Sequence, residues 1–201
     1  MMESKGKFTL GLTLPTDPRW INIAEKSVEE ILVDHAYCEQ KAASSCISMI
    51  ILHPERTELV DTLTPIVAEE WGHFERVLEE LRKRGLELGR PRKDEYVEGL
   101  NKLVRKGGSR DQQLLEKLLL NALIEARSCE RFKILWKQLE DPELAKFYYE
   151  LMISEAGHYR TFLQLAKYYL PEETVNTRWR EWLDEEARII RTLEPRGDRM
   201  H

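Results

Sequence analysis

Glu69-Glu70-Trp71-Gly72-His73-Phe74 and Ser154-Glu155-Ala156-Gly157-His158-Tyr159 carry one pattern, E-x-x-H, and the reading of that pattern decides the fold. On an α-helix, residues three apart share a face, so the carboxylate of Glu70 and the imidazole of His73 reach one point in space, as do those of Glu155 and His158. A lone E-x-x-H is a weak signal. Here the surroundings repeat as well. Glu39 stands 31 residues before Glu70 and Glu125 stands 30 before Glu155, while the two motifs are offset by 85 residues and the two upstream glutamates by 86. The spacing predicts a two-helix unit used twice. Four helices presenting Glu, Glu-x-x-His, Glu and Glu-x-x-His inward form the donor set of a carboxylate-bridged di-iron four-helix bundle.

The rest of the chain is consistent with that plan. Thr16-Asp17-Pro18 reads as an N-cap with proline at the first helical position of a short entry helix. Ser27 and Glu30 have capping-box spacing before a first long helix that runs to about Leu52, or else sit inside a helix begun earlier. Leu32, Ala36, Glu39, Ala43, Cys46 and Ile50 form its inward stripe. His53-Pro54 breaks the chain, and a second long helix spans about Glu55 to Arg84 with Pro65 inside it, where a kink is expected. A crossover helix from Asp94 to about Lys106 links the halves. The third long helix covers about Asp111 to Glu140 with Leu118, Ala122, Glu125, Cys129, Phe132 and Trp136 inward. Asp141-Pro142 opens the fourth, which ends near Leu170, and a final amphipathic helix starts near Thr174. Up-down, long connection, up-down is the ferritin-like order of an all-α bundle with a crossover and an additional C-terminal helix. No linker or low-complexity tract divides residues 1–201, so one domain is expected.

Composition narrows the setting. The 201 residues are 33% charged and 42% hydrophobic, which favours long surface-bearing helices. The net charge of −5 argues against a protein that coats nucleic acid non-specifically, without excluding a locally basic face. Three cysteines within helical patterns, Cys38, Cys46 and Cys129, do not make a disulfide framework and point to a reducing compartment. The amino terminus has no signal-type apolar stretch, and no segment reaches the run of about 18 apolar residues that a membrane span needs. A cytoplasmic location and no membrane partner are expected.

Four carboxylates facing one another in a core would forfeit several kcal/mol or their charge unless cations neutralised them. Oxygen-rich sites with imidazole and open positions suit iron or manganese better than zinc, and iron comes first. The expected metal residues are Glu39, Glu70, His73, Glu125, Glu155 and His158. Glu130 follows Cys129 as Glu39 follows Cys38, which offers a competing register. Glu125 is favoured because its stripe is apolar, whereas that of Glu130 includes Arg127, Lys133 and Lys137. Glu69 lies about 100° around the helix from Glu70 and reads as solvated. His35, one turn before Glu39, reads equally as a ligand, as a support behind a ligand or as a hydrogen-bonded core residue. Tyr37 and Tyr159 read as core tyrosines ahead of any part in oxygen chemistry. If the motif glutamates were surface residues, the chain would be a metal-free helical binding module.

Three stretches carry a family likeness: Asp34-His35-Ala36-Tyr37-Cys38-Glu39-Gln40-Lys41-Ala42-Ala43, Glu69-Glu70-Trp71-Gly72-His73-Phe74, and Leu123-Ile124-Glu125-Ala126-Arg127-Ser128-Cys129-Glu130-Arg131-Phe132. They resemble the MiaE-type tRNA hydroxylases. The resemblance implies a ferritin-like fold, two iron ions in a non-haem di-iron centre, O2 as co-substrate and an external electron donor, hence an electron-transfer partner. The implied reaction is hydroxylation of the isopentenyl group of 2-methylthio-isopentenyl-adenosine in the tRNA anticodon stem-loop. Carried over, Glu39, Glu70, His73, Glu125, Glu155 and His158 are the ligands. Gly157 departs from the family pattern, where a bulkier basic residue stands.

Spacing and composition by themselves leave other functions of the same fold open, a ferroxidase, an iron store, a rubrerythrin-like peroxidase or an oxygenase with another substrate. The paired C-x-x-C of a rubredoxin segment is missing from the sequence, which counts against the peroxidase. Basic clusters at residues 82–84, 90–93, 102–110 and 178–191 are compatible with phosphate contacts.

Overall fold

The structure, a computed structural model, describes residues 9–200. Most of the amino-terminal stretch read for a targeting signal lies outside them. Every regular element among the described residues is helical: α1 (Arg19–Ala24), α2 (Val28–Leu52), α3 (Thr57–Lys83), α4 (Glu95–Leu103), α5 (Arg110–Gln138), α6 (Pro142–Tyr169) and α7 (Glu172–Thr192). The main pairings are α2 with α3 and α5 with α6; α2 meets α5 and α3 meets α6 more sparsely. Each close pair is joined by a short turn and so runs antiparallel. This is the expected ferritin-like bundle.

Local chemistry sets the helix starts. Asp141 accepts from the backbone N–H groups of Glu143 (3.0 Å) and Leu144 (3.1 Å), with Pro142 behind it where its missing N–H costs nothing. Asp94 accepts from Val97 N at 2.9 Å. Ser109 and Gln112 form a reciprocal capping box at the head of α5, a signal the sequence reading passed over. The capping box anticipated at Ser27 does not form. The chain enters α2 from a 3-10 turn at Glu25–Ser27, and Ser27 makes no side-chain cap bond. α3 continues through Pro65 as one helix, with Pro65 on its exposed side.

The inward stripes follow the predicted periodicity except at their ends, where Ile50 of α2 and Trp136 of α5 are only half-buried. Leu32, Ala36, Ala43 and Cys46 of α2, Leu118, Ala122, Cys129 and Phe132 of α5, and Tyr148, Leu151 and Phe162 of α6 are buried around the four motif carboxylates. α7 lays Trp182 and Leu183 across α4, α5 and α6.

The far side of α5 departs from expectation. The stripe of Arg127 and Glu130, read as polar, is buried as well, because α7 and the segment before α1 cover it. Arg127 is fully buried. Its Nη2 donates to Glu186 Oε1 of α7 at 2.5 Å and to the Leu14 carbonyl at 2.9 Å, and its Nη1 donates to Glu130 and to Thr16 Oγ1 (3.2 Å). A second buried pair, Arg178 on Glu116 at 2.6 and 2.7 Å, fastens the start of α7 to α5.

Candidate metal centre

The six expected residues come together at mid-bundle and all are buried. Two overlapping sets form, Glu39, Glu70, His73 and Glu155 on one side and Glu70, Glu125, Glu155 and His158 on the other, with donor atoms in each set within 4.8 Å of one another. Glu70 and Glu155 belong to both sets. Each half therefore offers one terminal glutamate, one histidine and two shared carboxylates, and the i, i+3 spacing on α3 and α6 is what brings the Nδ1 atoms inward. His73 Nδ1 lies 3.3 Å from Glu155 Oε1, 3.6 Å from Glu39 Oε2 and 3.7 Å from Glu70 Oε2. His158 Nδ1 lies 2.8 Å from Glu70 Oε1 and 3.3 Å from Glu155 Oε2.

The electrostatics are those of a site built for cations. Burial, reinforced by the charge on Glu155, pushes the carboxyls of Glu39 and Glu125 well above the usual range. Burial also opposes the charge on Glu155, yet its close polar contacts with Glu125, His158 and His73 outweigh it and hold that carboxyl well below the usual range. Burial works against charging His73 and His158, but their carboxylate neighbours, Glu155 foremost, raise them to about 12 and about 11. Both Glu70 oxygens, Glu155 Oε1 and His73 Nδ1 are buried without a hydrogen bond of sound geometry. Buried polar atoms normally find partners, and these aim at a common centre, so the donor set fits two hard or borderline divalent ions.

The fold places each of the side chains that the sequence left open. Glu130 faces away from the centre, accepting from Thr16 N (3.0 Å), Thr16 Oγ1 (2.6 Å) and Arg127. His35 stands behind Glu39, Nε2 to Oε1 2.5 Å, packed on Tyr148 and Phe132. Glu69 is not merely solvated. It is more than half exposed, yet its Oε2 reaches His158 Nε2 at 2.9 Å. The missed signal was its place on the flank of α3 that faces α6. At Gly157 an added Cβ would meet nothing within 4 Å, so the space for a larger residue is there.

Several basic residues are already spent on carboxylates. Arg84 pairs with Glu80 and Asp141, Arg92 with Glu30, Lys93 with Glu98, Arg105 with Glu181, Arg110 with Glu55 and Arg178 with Glu116. In residues 82–110, Arg82, Arg90, Lys102 and Lys106 are exposed and have no ion pair among the described residues.

A four-helix bundle with this paired carboxylate and histidine set defines the ferritin-like di-iron class. The model of the tRNA-(MS[2]IO[6]A)-hydroxylase (MiaE) family matches residues 3–201, and the chain belongs to that family. It is 39% identical over 164 residues to a Pseudomonas putida protein named tRNA 2-(methylsulfanyl)-N(6)-isopentenyladenosine(37) hydroxylase, a match covering 82% of this chain and 78% of that one. The Salmonella typhimurium protein of the same name is 36% identical over 137 residues, covering 68% of this chain and 49% of the relative. A solved structure titled "Protein 43 with aldehyde deformylating oxygenase activity from Synechococcus" superposes with a TM-score of 0.89 at 33% identity over 94% of each chain. No helix among the described residues is long and apolar enough to cross a membrane.

Proposed function

We propose that the chain is one ferritin-like domain in which Glu39, Glu70, His73, Glu125, Glu155 and His158 hold two iron ions, and that it hydroxylates the isopentenyl group of 2-methylthio-isopentenyl-adenosine in tRNA. The observation that carries this is the pair of four-residue sets sharing Glu70 and Glu155, in a member of the MiaE family. When bound, a di-iron centre supplies O2 activation, with electrons from an external donor. The protein's own residues do the rest. Glu70 and Glu155, common to both donor sets, would hold both ions, Glu39 with His73 and Glu125 with His158 would hold one each, His35 steadies Glu39, and the buried shell of Leu32, Ala36, Phe132, Tyr148 and Leu151 keeps bulk water from the centre. The target base must leave its stack in a single-stranded loop to bring its apolar tail to such a site. Incubating the iron-loaded protein with modified tRNA, reductant and O2 should yield a nucleoside heavier by one oxygen atom, read by mass spectrometry. An intact centre with no such product would exclude this substrate.

The backbone contact belongs to the unpaired basic residues. Charge reversal of Arg82, Arg90, Lys102 and Lys106 together should weaken tRNA binding, flatten its salt dependence and leave metal content unchanged. Filter binding across a salt series checks this. An unchanged slope would move the RNA surface elsewhere.

A second reading has its own support. The Synechococcus neighbour, at 33% identity over nearly the whole chain, is titled for an activity on aldehydes. An oxygenase acting on an aliphatic aldehyde would release a hydrocarbon one carbon shorter under the same assay conditions, and gas chromatography of the headspace separates the two readings.

A further inference from the structure

The two halves of the centre match in the atoms that face inward and differ in what stands behind them. Nε2 of His158 lies 2.9 Å from Oε2 of Glu69, which reaches across from α3. The residue in that register of the second motif is Ser154, whose neutral hydroxyl points toward Glu69 itself at 3.5 Å. Behind the terminal glutamates the difference runs the other way. His35, one turn before Glu39, occupies Glu39 Oε1 at 2.5 Å, whereas Asn121, one turn before Glu125, turns its amide to the Lys117 carbonyl at 2.7 Å and leaves Glu125 alone.

We propose that Glu69 is a positioning residue that makes the two metal positions unequal, the position formed with Glu125 and His158 being the tighter. A carboxylate that accepts from Nε2–H fixes the tautomer presenting the Nδ1 lone pair to the centre and strengthens the ring as a donor. His158 has that support, whereas His73 has a serine in the equivalent register, so the two imidazoles are unequal donors. Glu39 is steadied by His35, so the difference that Glu69 makes falls on the histidines. Because Glu69 is more than half exposed, the fold does not depend on it.

This inference rests on the metal reading above, and calorimetric titration with manganese(II) separates the two. Wild-type protein, stripped of metal, should take up two ions in two resolved steps. Glu69→Ala should weaken the tighter step about ten- to hundredfold, leaving the weaker step and the thermal unfolding of the metal-free protein as they were. Glu69→Gln, still accepting through its amide oxygen, should fall between. If the wild type binds two ions and Glu69→Ala leaves both steps unchanged, or weakens both equally, the inference is overturned and the metal reading stands. If the wild type takes up no ion, both are overturned.

Discussion

Glu155→Ala is expected to empty the metal centre while the bundle stays folded. Glu155 belongs to both donor sets and lies within 3.3 Å of both histidines, so on the proposed reading its loss would remove a shared ligand from each ion at once. Metal content should fall from about two ions per chain to none that survives gel filtration, and product formation with it. The metal-free protein should lose stability as well, because Glu155 is the carboxylate held below its usual range beside His73 and His158, and its loss leaves both raised imidazoles short of a partner. The metal-free variant should melt below metal-free wild type, and the rise in Tm that metal gives the wild type should disappear. Glu125→Ala should empty the centre in the same way, but burial already drives Glu125 toward its neutral form, so its metal-free protein should melt no lower than metal-free wild type. Glu130→Ala should not empty it, because Glu130 is turned to Thr16 and Arg127: it should keep its two ions and lose stability instead. Metal analysis beside thermal melts distinguishes these outcomes, and a Glu130→Ala protein that folds well but binds no metal would put the ligand register in the wrong place.

Arg127→Ala should be the most destabilising single change outside the centre. Its guanidinium is fully buried, with Glu186 as a fully buried partner on α7 and Glu130 and Thr16 on the other side. Removing one partner of a buried ion pair leaves an uncompensated charge, which costs about 3–5 kcal/mol. Against a typical stability of about 5–15 kcal/mol, that is a fall in Tm on the order of 10 °C for a chain of this length. Arg127→Met combined with Glu186→Leu removes the fully buried pair and should recover part of the loss, with Glu130 keeping its bonds from Thr16. Arg188→Ala, which breaks an exposed pair with Glu185, should leave the melt where it is. Thermal denaturation of the three variants tests the ranking. Equal melts for Arg127→Ala and Arg188→Ala would mean that the junction of α5, α7 and the amino-terminal segment carries no stability.

The six residues of the centre were legible in the chain because their information is local. E-x-x-H places a carboxylate and an imidazole on one helical face whatever the helix packs against, and a repeat with offsets of 85 and 86 residues can be read without knowing where the helices go. Asp141-Pro142 and Asp94 set their helix starts by bonds that span two or three residues. Tertiary structure alone decided what lies behind that inner layer. The Arg127 stripe has the composition of a solvated face, and it is buried only because Glu186, 59 residues on, and Thr16, 111 residues back, arrive on top of it. Glu69 sits on a surface-facing flank by period, and its bond to His158 exists because α6 brings that ring across from 89 residues away. The basic clusters show the same limit. Sequence counts charges, but whether a lysine or arginine remains free for a phosphate depends on which carboxylate the fold has set beside it, and ion pairs form between residues close in space, not in the chain.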